Sequence, residues 1–119
     1  MKKDPLIYFD DILDSIEKII FYTRGYTLEK FIRDSQLQDA VIRRFSVIGE
    51  AVKKISPKIR SNYRNIPWRE IAGMRDVLIH EYAEVNFKRV WSVIQKDLPD
   101  LKIKIETVYQ ELGGTHRMI

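Results

Sequence analysis

A chain of 119 residues, 45% apolar and 32% charged with a net charge of +4, is one domain's worth of sequence with enough apolar side chains for a single core. It has no cysteine, which excludes disulfides, thiolate catalysis and cysteine-based zinc sites and fits a reducing cytoplasm. Its apolar runs are too short to cross a bilayer, and none follows Lys2-Lys3, so neither a membrane partner nor a signal peptide is expected.

The hydrophobic pattern is helical nearly throughout. Asp4-Pro5 supplies a capping side chain and then a first-turn proline. Phe9, Ile12, Leu13, Ile16, Ile19 and Ile20 then predict an amphipathic helix over residues 5–24, stopped by Gly25. Thr27 can cap a short helix reaching Asp34. Ser35-Gln36-Leu37-Gln38 has the form of a capping box with Ser35 at the cap. It opens a second long helix marked by Leu37, Val41, Phe45, Ile48, Val52 and Ile55. Ser56-Pro57 begins a short helix to about Tyr63, and Ile66-Pro67-Trp68 opens a third main helix to about Tyr82. Asn86 caps a fourth, with Phe87, Val90, Trp91 and Ile94 on one face. Leu98-Pro99 is expected to interrupt it, because proline lacks a donor and crowds the preceding turn. Leu101, Ile105, Val108 and Leu112 form a last helix ending at Gly113-Gly114. Short connections predict an all-α, mostly antiparallel bundle of five to six helices over residues 1–114, with a polar tail at 115–119.

Charge is unevenly spread. Residues 1–50 and 76–119 each carry a net −1, whereas residues 51–75 carry +6. Lys53, Lys54, Lys58, Arg60, Arg64 and Arg69 make up that excess together with Arg75, against Glu70 alone. Such a block is either a solvated basic surface or the footprint of a polyanion.

The third main helix holds a conflict. Trp68, Ile71, Ala72, Leu78, Ile79 and Tyr82 fall on one stripe, and Arg75 falls in its middle. A charge there is costly unless it is paired or opens onto a cleft. Beside it runs a second ridge of Arg69, Gly73, Asp76 and His80. Asp76, one turn before His80, can reach the imidazole, fixing its tautomer and raising its pKa. His80 and His116 are the only histidines. On chemistry alone two readings stay open. Arg75 is a structural ion pair with Glu50 or an N-terminal aspartate and His80 a cap, or the two serve a site. As a site they face a difficulty, since five residues put them about 140° apart on one helix.

The run from Ile66 to Tyr82, with Trp68-x-x-Ile71-Ala72-Gly73-Met74-Arg75-Asp76 followed by His80-x-Tyr82, resembles the signature of the HepT-like branch of the HEPN superfamily. The likeness extends to Ile48-Gly49-Glu50-Ala51 and to Asp97-Leu98-Pro99. It implies a homodimeric helical bundle acting in the cytoplasm as a metal-independent endoribonuclease, with no cofactor. That nuclease would be the toxin of a type VII toxin–antitoxin pair. Its partner would be an MNT-type nucleotidyltransferase antitoxin, which in some members silences the toxin by placing AMP on the motif tyrosine, here Tyr82.

On this reading Arg75 and His80 are catalytic, Asp76 orients the histidine, and Lys53, Lys54, Lys58, Arg60, Arg64 and Arg69 grip RNA. A twofold dimer would set Arg75 of one chain against His80 of the other and remove the 140° difficulty. Two rivals remain at this point: a non-catalytic module that docks a nucleotidyltransferase or RNA, and a purely structural bundle.

Overall fold

In a computed structural model of the chain, residues 4–80 and 85–114 are described, with the backbone alone for residues 75–80. The described residues are helical, with no strand. The helices are α1 (Pro5–Thr23), α2 (Leu28–Arg33), α3 (Ser35–Lys54), α4 (Pro57–Asn62), α5 (Trp68–His80), α6 (Phe87–Ser92) and α7 (Leu98–Glu111). The start signals act as the sequence predicts at four of them. Asp4 accepts from the Leu6 amide at 2.9 Å, Thr27 from Lys30 at 3.2 Å, Ser56 from Ile59 at 3.2 Å and Asn86 from Arg89 at 3.2 Å. Each satisfies an amide that has no partner within its helix.

At α3 the expected capping box does not form. Asp34 is the cap, its carboxylate accepting from the Leu37 amide at 2.9 Å, and Ser35 is the first helical residue. Gln38 turns away from the cap and donates to the carbonyls of Phe31 and Ile32 at 2.9 and 2.8 Å. A carboxylate one residue earlier outcompetes the hydroxyl, and the freed amide instead ties the end of α2 to α3.

α3 is the central helix. α1 packs along one side of it and α5 along another, α7 lies on α1, and α2 and α6 pair at one end. The apolar positions read from the periodicity meet here: Phe9, Ile12, Ile16 and Ile19 of α1 and Val41, Ile48 and Val52 of α3 are all fully or almost fully buried. Tyr8 lies beside Glu50 and Lys54, so α1 and α3 run antiparallel. α5 starts at Trp68, whose ring meets Phe9 edge-on at 6.3 Å, and continues with Ile71 and Met74 beside Ile48 and Phe45. It is therefore antiparallel to α3 and carries His80 toward the end where α3 begins.

Pro99 does not break the chain's last helix. α6 passes through a π-helical turn, Val93–Asp97, directly into α7. The Leu98 amide donates to the Val93 carbonyl five residues back, and the backbone at Ser92, Val93 and Leu98 stays in the right-handed helical region. The wider turn takes up the ring that would crowd an ordinary α-turn, so one rod runs from Phe87 to Glu111. It ends as the two glycines predict. The Gly114 amide donates to the Tyr109 carbonyl at 2.9 Å and Gly113 to Gln110 at 3.0 Å, with Gly113 at φ +95°.

Tyr109 anchors that rod to α1. Its buried hydroxyl donates to the Asp10 carboxylate, and this hydrogen bond, with burial behind it, pushes the phenol up from 10 to about 12. A group whose pKa rises on folding contributes stability that is complete below its unfolded value and is lost as pH passes its folded value. Stability should therefore fall between pH 10 and 12. Tyr109→Phe should cost about 0.5–1.5 kcal/mol at neutral pH and show a shallower alkaline fall. Urea titrations from pH 7 to 12 check both, and parallel curves for the two proteins would refute the assignment.

Candidate functional site

Three of the arginines picked out by charge do come together. Arg60 on α4, Arg64 in the following loop and Arg69 on α5 line one open cleft of about 840 Å³. Local packing builds it. The Trp68 indole N–H donates to the carbonyls of Arg60 at 3.2 Å and Tyr63 at 3.0 Å, so the end of α4 is pinned to the start of α5. Trp68 is itself buried against Phe9. Ala72, Gly73 and the cleft's one acidic lining residue, Glu70, also line it, and a side chain added at Gly73 would meet open space, so this glycine leaves the cleft open rather than filling a tight contact.

Lys53, Lys54 and Lys58 stand apart from this cleft. Lys54 lines a separate groove between α1 and α3 with Tyr8, Arg43 and Glu50, while Lys53 and Lys58 are exposed. The six cations form a block in sequence, but only the three arginines share the cleft.

Arg75, Asp76 and His80 all lie on α5, whose backbone is helical to His80. The directions of their side chains, and Tyr82 altogether, lie outside the described residues. So does the tail at 115–119. Helical geometry still places Asp76 and His80 relative to the cleft. Arg69 and Gly73, on its wall, are followed on the same ridge by Asp76 and His80, all within about 60° of one another.

With this geometry in place, comparison with known proteins is informative. Residues 12–108 match the family model described as ribonuclease HepT-like. The chain belongs to the ribonuclease HepT-like family. Among curated relatives, a Methanocaldococcus jannaschii protein named "Gamma-glutamylcyclotransferase and putative RNase" is 46% identical over 94% of this chain, which spans only half of that longer protein. A "Putative RNase" of Caldanaerobacter subterraneus is 39% identical over 92% of this chain and 97% of its own length. A "Probable ribonuclease HepT" of Thermococcus cleftensis is 42% identical over 89% of this chain and 96% of its own. No solved structure gives a significant match.

The HepT-like chain has two further surfaces that the sequence reading missed. One is an apolar groove of about 380 Å³ between α5 and the π turn, floored by Phe45 and Ile48 and walled by Ile71, Met74, Leu98 and Leu101. The other is a cationic cleft at the α1–α2 corner, lined by Arg24, Lys30 and Arg33. Counting charge in long blocks hides the second, since acidic residues elsewhere in 1–50 cancel it. A narrower window over residues 24–33 would have found it. Among the described residues, no cluster of three or more His, Asp or Glu is placed to hold a metal ion, and no helix is long and apolar enough to cross a membrane.

Proposed function

We propose that this HepT-like protein is a metal-independent endoribonuclease whose catalytic groups are Arg75 and His80, acting at a site shared by two subunits. The observation that carries the reading is the continuity of one helix face. α5 offers Arg69 and Gly73 to a cleft rimmed by Arg60 and Arg64, and the same ridge continues to Asp76 and His80. Family membership over residues 12–108 supports the reaction class.

The chemistry follows from what these groups can do. His80 takes the proton from a 2′-hydroxyl, whose oxygen attacks the adjacent phosphorus. Arg75 lays its planar fork against the charge building on the phosphorane. The bond to the 5′-oxygen breaks as that oxygen takes a proton from water, and the imidazolium releases its own to solvent. The products are a 2′,3′-cyclic phosphate and a free 5′-hydroxyl. Asp76 keeps the histidine in the useful tautomer. Arg60, Arg64 and Arg69 hold flanking phosphates, with Lys53, Lys54 and Lys58 extending the positive field. The exposed apolar groove beside α5 offers surface for a subunit contact.

In the toxin–antitoxin reading, the phenol oxygen of Tyr82 attacks the α-phosphorus of a nucleoside triphosphate held by the nucleotidyltransferase partner, and pyrophosphate leaves. The added phosphate puts a bulky anion close to Arg75 and blocks RNA entry by charge and volume.

Purified protein incubated with RNA in excess chelator should yield fragments with cyclic-phosphate ends. After coexpression with an MNT-type nucleotidyltransferase, intact mass should rise by one adenylyl group, and Tyr82→Phe should abolish that rise. RNA bound but left whole would point to a docking module instead. A modification away from Tyr82 would remove the silencing scheme.

A further inference from the structure

The α1–α2 corner has features that the catalytic reading does not use. Arg24, Lys30 and Arg33 line one open cleft of about 720 Å³ together with Tyr26, Ser35 and Gln36. Gly25, at φ +79°, makes the tight turn that brings Arg24 and Tyr26 to the same opening. The carboxylate in the cleft is already engaged. Asp34 accepts from the Leu37 amide at 2.9 Å with one oxygen and from the Tyr26 hydroxyl at 3.0 Å with the other. None of the three cations forms an ion pair with a described residue. Next to the cleft stands Phe21, 65% exposed, with the Arg24 guanidinium 5.8 Å from its ring centre. Phe21 meets the Tyr22 ring edge-on at 6.4 Å but keeps most of its surface in water, and Tyr26, which lines the cleft, is also exposed.

Position adds to composition. Ile71 and Met74 of α5 lie beside Ile48 and Phe45 of the antiparallel α3. The six residues from Met74 to His80 advance α5 by about 9 Å toward the start of α3. The cleft is lined by Ser35 and Gln36, at that same start. It therefore shares one end of the molecule with the C-terminal end of α5.

Clustered cations beside exposed aromatic faces are the combination that holds an unpaired nucleic-acid strand, phosphates on the charges and bases on the rings. A duplex hides its base faces and would leave Phe21 and Tyr26 without a purpose. We propose that this corner is a subsite for single-stranded RNA, with Arg24, Lys30 and Arg33 on consecutive phosphates and Phe21 and Tyr26 under the bases. The assignment rests on the ribonuclease reading and extends it. The strand crosses the α1–α2 corner as well as the Arg60–Arg69 cleft, and the enzyme prefers unpaired RNA.

The test uses a short labelled single strand of 2′-O-methyl RNA, which lacks the nucleophile, so that binding is read without cutting. The triple variant Arg24→Gln, Lys30→Gln, Arg33→Gln should bind at least about ten-fold more weakly at moderate salt. Its plot of log affinity against log salt should be shallower by about two, since each lost phosphate contact on a single strand removes about 0.7. Phe21→Ala should weaken binding about five-fold or more with the salt slope unchanged. A control double, Lys18→Glu, Gln110→Glu, makes the same change in net charge elsewhere and should keep the wild-type slope. Wild-type affinity and slope in the cleft triple, or an equal loss in the control, would overturn the subsite, as would a wild-type protein that binds no strand. The unmodified RNA separates the two claims. If the cleft triple binds weakly as expected but wild-type protein leaves that RNA uncut, the nuclease reading fails and the strand-binding surface stands.

Discussion

Replacing His80 by alanine should lower RNA cleavage by about 10²–10⁴-fold while the bundle stays folded. That is the usual worth of a positioned acid–base group. Arg75→Ala should cost a comparable factor through the lost stabilisation of the phosphorane. Arg75→Lys should recover little of it, because an ammonium cannot reproduce the planar two-donor fork. If each site takes Arg75 from one chain and His80 from the other, mixing the two inactive variants should restore cutting. A mixed dimer then holds one intact pair and one doubly dead pair. Random exchange makes half the dimers mixed, so recovery should approach about a quarter of wild-type activity. Full activity in either single variant would remove these residues from the mechanism. A mixture that stays inactive, despite demonstrated subunit exchange, would place both groups in one protomer.

The largest stability effect should come from Phe9→Ala. Phe9 is fully buried and presents its ring edge to Trp68 at 6.3 Å. Removing it deletes the aromatic contact and leaves a cavity, together costing about 3–5 kcal/mol. For a domain of this size the midpoint of thermal unfolding should fall by more than about 10 °C. Cleavage by the surviving folded protein should fall too, because Trp68 holds the end of α4 to α5 and so sets the mouth of the arginine cleft. Phe21→Ala provides the contrast. With its ring largely in water, its loss should shift stability by no more than about 0.5 kcal/mol. Calorimetry on the two variants decides the matter, and similar midpoints would mean that Phe9 is not the keystone its burial implies.

The helices were legible in the sequence because their signals are local. Asp4-Pro5, Thr27, Ser56-Pro57 and Asn86 each start a helix where a side-chain oxygen can reach a free amide two or three residues on. The start of α3 was misread because two capping side chains, Asp34 and Ser35, stand next to each other. Only the surroundings of Gln38 choose between them. Pro99 was misread because the rule against helical proline assumes an α-turn, and the chain uses a wider one. The proposed catalytic segment was visible as an arginine in an apolar stripe and as a family-like motif. The meeting of Arg60, Arg64 and Arg69 in one cleft, without the three lysines, depends on how Trp68 pins α4 to α5. No spacing rule carries that information. The Arg24–Arg33 cleft escaped for the opposite reason. It is nearly contiguous in sequence, but its charge vanished in an average taken over fifty residues.

The π turn at Val93–Asp97 has a consequence for how this rod can change. It stores one surplus residue without interrupting the winding, so it acts as a phase adjuster between the two halves. Deleting any one residue there would let the helix coil uniformly and keep everything downstream in phase, because a π turn fits about one more residue into a full turn than an α-turn does. Lys102 would keep Glu17, which it approaches at 3.8 Å, and the Tyr109 phenol would keep Asp10. Single deletions there, among the solvent-facing Gln95, Lys96 and Asp97, should therefore be better tolerated than deletions elsewhere in the rod, their main cost being the Pro99 ring returned to an ordinary α-turn, about 3 kcal/mol.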